Sequence, residues 1–201
     1  MKATQLLRSQ HDDVKALFSE IEAKLEEGGD VTSRFEEVAH MLVAHDAIER
    51  ELFYPACEEV DDAEDILGES LVEHGLAEFS LYQADVSLGD PHFAHKCTVL
   101  KEVLLHHIEE EEKELFPKVE SALSAETLEQ LATRMSARFE QVRTADFRGP
   151  LLQNLQQVLS GKVELDEDEG EDEAPAAKSR SKTKPKGRQK RGNSADDRPR
   201  R

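Results

Sequence analysis

Apolar positions, with one histidine among them, recur along the first stretch at steps of four and three: Leu7, His11, Val14, Phe18, Ile21 and Leu25. That spacing draws one stripe down one face of a helix, predicted from about Thr4 to Glu27. "GGD" at 28–30 breaks it. A second stripe, Phe35, Val38, Leu42, His45, Glu49, Leu52 and Ala56, predicts a helix over about Thr32–Glu59. Pro55 is expected to kink or end its last turn, because proline lacks an N–H and its ring clashes with the preceding turn. Leu67, Leu71, His74, Glu78 and Leu81 place a third helix over about Ala63–Leu88. "GDP" at 89–91 closes it and starts a fourth over about Pro91–Leu123, with Asp90 as N-cap and Pro91 first in the helix. Its stripe is Leu100, Leu104, His107, Glu111 and Leu115. A fifth helix follows from Ser124, then a short amphipathic piece, "PLLQNLQQVLSG". No segment alternates as a strand does. Four helices of roughly 25 residues, each roughly 38 Å long, with short connections predict an all-α, antiparallel up-down-up-down bundle with an extra C-terminal helix.

The stripes carry polar residues where a core needs apolar ones, and the polar residues repeat. "HDAIERELFYP" at 45–55 and "HHIEEEEKELFP" at 106–117 align on Pro55 and Pro117. His45 then falls on His107 and Glu49 on Glu111, each offset by 62, while His11 and His74 are offset by 63. A duplicated helix pair is the economical explanation. Glu78 has no counterpart, since the matching position in the first helix is Lys15.

A buried ionised carboxylate costs several kcal/mol, on the order given for uncompensated charge, unless something offsets it. In antiparallel helices His11, His45, Glu49, His74, Glu78, His107 and Glu111 fall at similar depth. One metal centre compensates them together, taking neutral imidazole nitrogen and carboxylate oxygen. Histidine and glutamate four apart lie on one face, and a carboxylate can bridge two ions. Seven donors exceed a tetrahedral zinc site, and mixed imidazole and carboxylate favours iron or manganese. Plainer readings stand beside this one. A lone stripe histidine is usually a satisfied core residue, and glutamate runs such as 109, 110, 112 and 114 are usually a solvated face, with any that lie near a site open to a role as its outer partners. His40, His92 and His95 read as solvated, Asp12 and Asp46 as wet face or outer partners of a site, and His106 with Glu110 as a competing register. A metal-free helical adaptor would have to pair all seven buried groups. A ferritin-like centre needs two E-x-x-H pairs, and "EVAH" at 37–40 supplies one.

Charge divides the chain. Residues 164–173 hold eight acids, and 174–201 hold eleven Lys or Arg against two Asp. Residues 1–163 keep 15 of the 26 basic and 34 of the 44 acidic groups, a net of −19 that does not suit a nucleic-acid surface. The organisation expected is a bundle over 1–123, an accessory helical segment over 124–161 and a disordered acidic-then-basic tail over 162–201. The basic part, 178–201, offers non-specific contact with nucleic acid or an acidic partner, and it has no aromatics to stack on bases. Cys57 and Cys97 are the only cysteines and read as small buried residues. No apolar run reaches the roughly 18 residues of a membrane span, and the N-terminus lacks an apolar signal core. A cytoplasmic protein without a membrane partner is expected.

His11, "HDAIE", His74 and "HHIEEEEKELFP" together resemble the hemerythrin-like proteins, the HHE cation-binding domains, over roughly residues 3–120. The resemblance implies two non-haem iron ions in a four-helix bundle, with manganese less expected. Glu49 and Glu111 would resemble the bridging carboxylates. His11 and His45 would sit on one iron, and His74 and His107 on the other. Glu78 would stand where the oxygen carriers have a further histidine, which shifts the expectation from simple oxygen carriage toward sensing or peroxide and nitric-oxide handling. Two functions follow from the same ligands: a di-iron protein binding or reacting with oxygen, peroxide or nitric oxide, and a non-enzymatic iron or redox sensor acting through a partner on the basic tail.

Overall fold

The computed structural model describes residues 1–160, all helix and connection without a strand. Helix α1 is Ala3–Glu26. Its end is a Schellman motif: Gly28, at φ 70°, donates to the Leu25 carbonyl, and Gly29 donates to that of Lys24. Helix α2 runs over Thr32–Ile48, a π-helical turn Glu49–Phe53 and Tyr54–Cys57. Helix α3 is Glu64–Asp85. Helix α4 mirrors α2: Phe93–Glu110, a π turn Glu111–Leu115 and Phe116–Ala122. Helices α5, Ala125–Arg143, and α6, Arg148–Leu159, follow. Among the four bundle helices α1 pairs with α2 and α3 with α4, while α5 lies on α1 and α2 and α6 on α3.

Two expectations at helix ends need correction. α4 begins at Phe93, not Pro91. Its N-cap is His92 rather than Asp90, and the Asp90 carboxylate accepts the His92 N–H at 2.7 Å in the turn before the helix. Pro55 neither ends nor breaks α2. The Tyr54 N–H reaches back five residues to the Glu49 carbonyl, and Phe116 does the same to Glu111. These wide turns take up the missing proline N–H and clear the ring, so both helices continue through their prolines.

Each π turn inserts one residue into the stripe. On α2 the regular spacing predicted Leu52 and Ala56 inward, but both are half-buried, and Phe53, Tyr54 and Cys57 are buried instead. The core consists of two apolar clusters. One holds Leu7, Ile48, Phe53, Leu71, Leu115 and Phe116. The other holds Val14, Phe18, Phe35, Leu81, Leu100 and Leu104. Along every bundle helix the chain passes from one cluster to the other through the polar stripe positions, so the bundle carries a polar layer between two apolar ones.

Candidate metal centre

The polar layer holds all seven residues singled out by the sequence, and each is at most 9% exposed. Six of them converge. The donor atoms of His11, His45, Glu49 and Glu111 form one group, and those of Glu49, His74 and His107 a second. Glu49 belongs to both. Its Oε1 lies 3.1 Å from His45 Nε2 and its Oε2 lies 3.4 Å from His74 Nε2. Glu111 Oε2 lies 3.3 Å from His11 Nε2 and 3.7 Å from His107 Nε2. Across the layer His11 and His45 bring their Nε2 atoms to 3.2 Å, and His74 and His107 bring theirs to 3.0 Å.

Each histidine is held from behind by the neighbouring helix. Gln10 Oε1 accepts from His45 Nδ1 at 2.8 Å, and Asp46 accepts from His74 Nδ1. Glu73 accepts from His107 Nδ1 at 2.9 Å, and Glu112 from His11 Nδ1 at 2.9 Å. Every one of these partners adjoins a residue of the layer: Gln10 precedes His11, Asp46 follows His45, Glu73 precedes His74 and Glu112 follows Glu111. The ring thus closes around the bundle, with each helix orienting the histidine of the next. All four partners offer acceptor oxygen, so in the neutral, metal-binding form of each ring the proton sits on Nδ1 and the Nε2 lone pair faces inward. Lys15, the position without an acid in the repeat, contacts Glu112 at 3.3 Å.

Burial pushes His45 and His74 down to about 4, which keeps them neutral and able to donate to a metal. At His107 burial opposes the charge, but Glu111 and Glu73 outweigh it and raise the imidazole to about 9. Burial, and then the charge of Glu111, raise Glu49 well above the usual carboxylate range. Both oxygens of Glu49 and Oε2 of Glu111 are buried without a hydrogen-bond partner. Orphaned carboxylate oxygens beside converging imidazole lone pairs are what a metal ion satisfies, so these residues fit one.

Glu78, the seventh candidate, lies in neither group. Its Oε1 accepts from Asn154 of α6 at 2.6 Å, and its Oε2 lies 3.7 Å from Arg50. Burial and the charge of Asp46 push it up to about 7. A basic side chain therefore does reach this carboxylate, where the core stripes showed none. The cause is the α2 sequence after His45, which turns Arg50 back toward Asp46 at 2.7 Å. Glu78 faces a cavity of about 40 Å3 that also touches His45, His74 and His107 and is otherwise walled by side chains such as Leu42, Leu81 and Leu104.

Tyr54, which the proline alignment sets opposite Phe116, is not among the residues singled out by the sequence. The π turn carries its hydroxyl into the layer, 2.9 Å from His74 Nε2 and donating to Glu111 Oε1 at 3.1 Å. Asp46 and Glu112, read as wet face or outer partners, are outer partners. Glu109 and Glu114 are exposed, as are His92, His95 and His106, while His40 is half-buried with its ring edge against Phe147. His106 sits 3.4 Å from Glu110 at the surface, outside the layer. Cys57 and Cys97 are free and buried, with burial pushing their thiols up to about 12 and about 11.

The family described as hemerythrin HHE cation binding domain matches residues 2–119. The chain belongs to the hemerythrin HHE family. It is a metal-binding helical bundle in which the repeated His and Glu positions make the clusters just described. A crystal structure of a hemerythrin HHE cation binding domain-containing protein from Mycobacterium kansasii is similar to it, at 26% identity and a TM-score of 0.62, over 77% of this chain and 99% of that one. A DNA nickase from Nostoc sp. is 26% identical over 140 residues, which are 68% of this chain. This chain spans 39% of that relative's length. Among the described residues of this HHE protein no helix is long and apolar enough to cross a membrane. The tail over 162–201 lies outside the described residues.

Proposed function

We propose that this HHE protein is a cytoplasmic non-haem di-iron protein that binds or reacts with oxygen, peroxide or nitric oxide at an open iron position. The observation that carries the reading is the set of orphaned, fully buried oxygens of Glu49 and Glu111 between the two Nε2 pairs. His11 and His45 would hold one ion, His74 and His107 the other, and Glu49 and Glu111 would join them, with Glu78 beside the cavity as a seventh candidate. Imidazole with carboxylate suits iron first and manganese second. Bound iron supplies Lewis acidity and a redox couple. The chain supplies the rest. Gln10, Asp46, Glu73 and Glu112 fix the imidazole rings. The Tyr54 hydroxyl holds one oxygen of Glu111, leaving the other to face the histidines. The cavity beside His45, His74 and His107 exceeds the roughly 10–15 Å3 that one water-sized centre needs, so it accepts a molecule the size of peroxide or a diatomic.

A second reading, a regulator whose basic residues 178–201 contact nucleic acid or an acidic partner, is favoured by the eleven basic residues of 174–201 and by the relative named a DNA nickase. One experiment separates the two. Full-length iron-loaded protein and a version ending at Ser160 are each challenged with peroxide and nitric oxide, and each is titrated with duplex DNA at two salt concentrations. The iron reading predicts the same optical response in both proteins and fails if neither responds. The regulator reading predicts binding that weakens with salt and is lost on truncation. DNA binding that is absent, or that survives truncation, contradicts it.

A further inference from the structure

Helix α6 lies beyond the residues that the family match covers, yet it reaches the back of the metal layer. Asn154 donates through Nδ2 to Glu78 Oε1 at 2.6 Å and to Asp46 Oδ2 at 3.2 Å. Asp46 in turn holds His74. The helix can come this close because Gly75, next to His74, has no side chain: a Cβ there would meet Val158 Cγ1 of α6 at 3.1 Å.

Two cavities adjoin where Asn154, in the wall of the larger, donates to Asp46 and Glu78 in the wall of the smaller. The smaller, about 40 Å3, touches the layer and includes Asp46 and Glu78 in its wall. The larger, about 400 Å3, is polar, lined by Arg50, Arg138, Gln141, Gln153, Gln157 and Asn154 among others. Asp46 and Val43 line both. At the junction Arg50 Nη2 and Glu78 Oε2 are buried without a hydrogen-bond partner, 3.7 Å apart. That is a free donor facing a free acceptor across a gap too wide for one good bond.

We propose that the larger cavity is the entry vestibule for small hydrogen-bonding solutes, and that Asn154 is the residue that limits their passage to the metal-side cavity. The inference rests on the metal-centre reading above. A peroxide-like solute must give up its water hydrogen bonds to enter an apolar cavity, which is costly unless protein groups replace them. The glutamine amides, Arg50 and Asn154 of the larger cavity and Asp46 and Glu78 of the smaller offer replacements. An apolar gas has no such bonds to replace and does not depend on the route. Asn154 bars the way by tying the two carboxylates together.

The test uses full-length, metal-loaded protein with inorganic azide as the hydrogen-bonding probe and nitric oxide as the control, both by stopped flow. A barrier residue changes association and dissociation together and leaves Kd alone. Asn154→Ala is expected to raise both azide rates about tenfold, and Asn154→Leu, which plugs the gap with an apolar side chain, to lower both about tenfold. Nitric oxide rates, metal content and azide Kd stay within about twofold of wild type. Azide rates unchanged in both variants overturn the proposal, as does an equal change for azide and nitric oxide. A shifted Kd or lost metal with unaltered association also overturns it, since that assigns Asn154 a merely structural role. A second readout uses no exogenous ligand: the rate at which metal-free protein takes up hydrated Co2+ is expected to rise in the Ala variant and fall in the Leu variant, and equal rates count against the route. Wild type that takes up no metal defeats the metal-centre reading itself, an outcome distinct from a wild type that loads metal at a rate indifferent to residue 154.

Discussion

Glu49→Ala and Glu111→Ala proteins are expected to lose most of their bound metal and, under loading conditions, to melt roughly 10 °C below wild type. Glu49 places one oxygen beside His45 and the other beside His74, and Glu111 Oε2 lies beside His11 and His107, so each carboxylate reaches both histidine pairs. Metal held at about a thousand times Kd stabilises a fold by about 4 kcal/mol through mass action. For a domain of this size each kcal/mol moves Tm by about 2–4 °C. The metal-free proteins should order differently. Without an ion, Glu49 is a buried carboxyl group whose oxygens have no hydrogen-bond partner, and removing it relieves an unsatisfied polar group. Metal-free Glu49→Ala is therefore expected to be at least as stable as metal-free wild type. Glu110→Ala, at the surface beside His106, should change neither metal content nor melting. Calorimetry of loaded and metal-free proteins, with metal analysis, checks all three. A Glu49→Ala protein that keeps wild-type metal and wild-type melting contradicts the assignment.

Asp46→Ala is expected to be the most damaging change outside the six convergent residues. Asp46 touches three groups: His74 Nδ1, Arg50 Nε at 2.7 Å and Asn154 Nδ2 at 3.2 Å. Burial opposes its charge, but His74 and Arg50 pull its pKa down to about 2. A depressed carboxyl contributes stability that is complete above about pH 4 and is lost as pH falls through the folded value of about 2. At neutral pH the carboxylate is therefore fully at work. Removing it leaves the buried Arg50 guanidinium only Glu78 Oε2 at 3.7 Å, a loss of up to about 3–5 kcal/mol for a broken buried pair. It also frees the His74 ring, and outer partners of metal-bound histidines are worth about 10–100-fold in metal affinity. Asp46→Asn keeps an acceptor for His74 but not the charge for Arg50, so it should recover affinity more than stability. Denaturant unfolding of the metal-free proteins and metal titration read the two effects separately. Wild-type values for Asp46→Ala in both would show that the ring of outer partners is incidental.

Much of this site was legible because it rests on spacing. The His-x-x-x-Glu pairs, the 62-residue echo and the positions of His11 and His74 on apolar stripes needed no knowledge of contacts, and the structure brings six of the seven residues together. The π turns were not legible in the same way. A stripe read at steps of three and four assumes an unbroken α-helix, and it put Leu52 and Ala56 inward where Phe53, Tyr54 and Cys57 now lie. The signal was present in Pro55 and Pro117, which an uninterrupted α-helix does not accommodate. Tyr54 was missed for the same reason, since its hydroxyl reaches Glu111 only after the register shift. The outer partners left a fainter trace. Gln10, Asp46, Glu73 and Glu112 each adjoin a residue of the layer, but which histidine each one holds depends on the packing of the neighbouring helix. Arg50 and Asn154 could not be placed from the sequence at all, because their roles follow from how the helix after His45 turns back and where α6 lies against α3.

Metal analysis of the purified chain, with its optical spectrum, tests the central claim most directly. Two irons per chain with a near-ultraviolet band from a bridged pair is the expected result. A single zinc, or no metal retained after aerobic loading with iron, would contradict it.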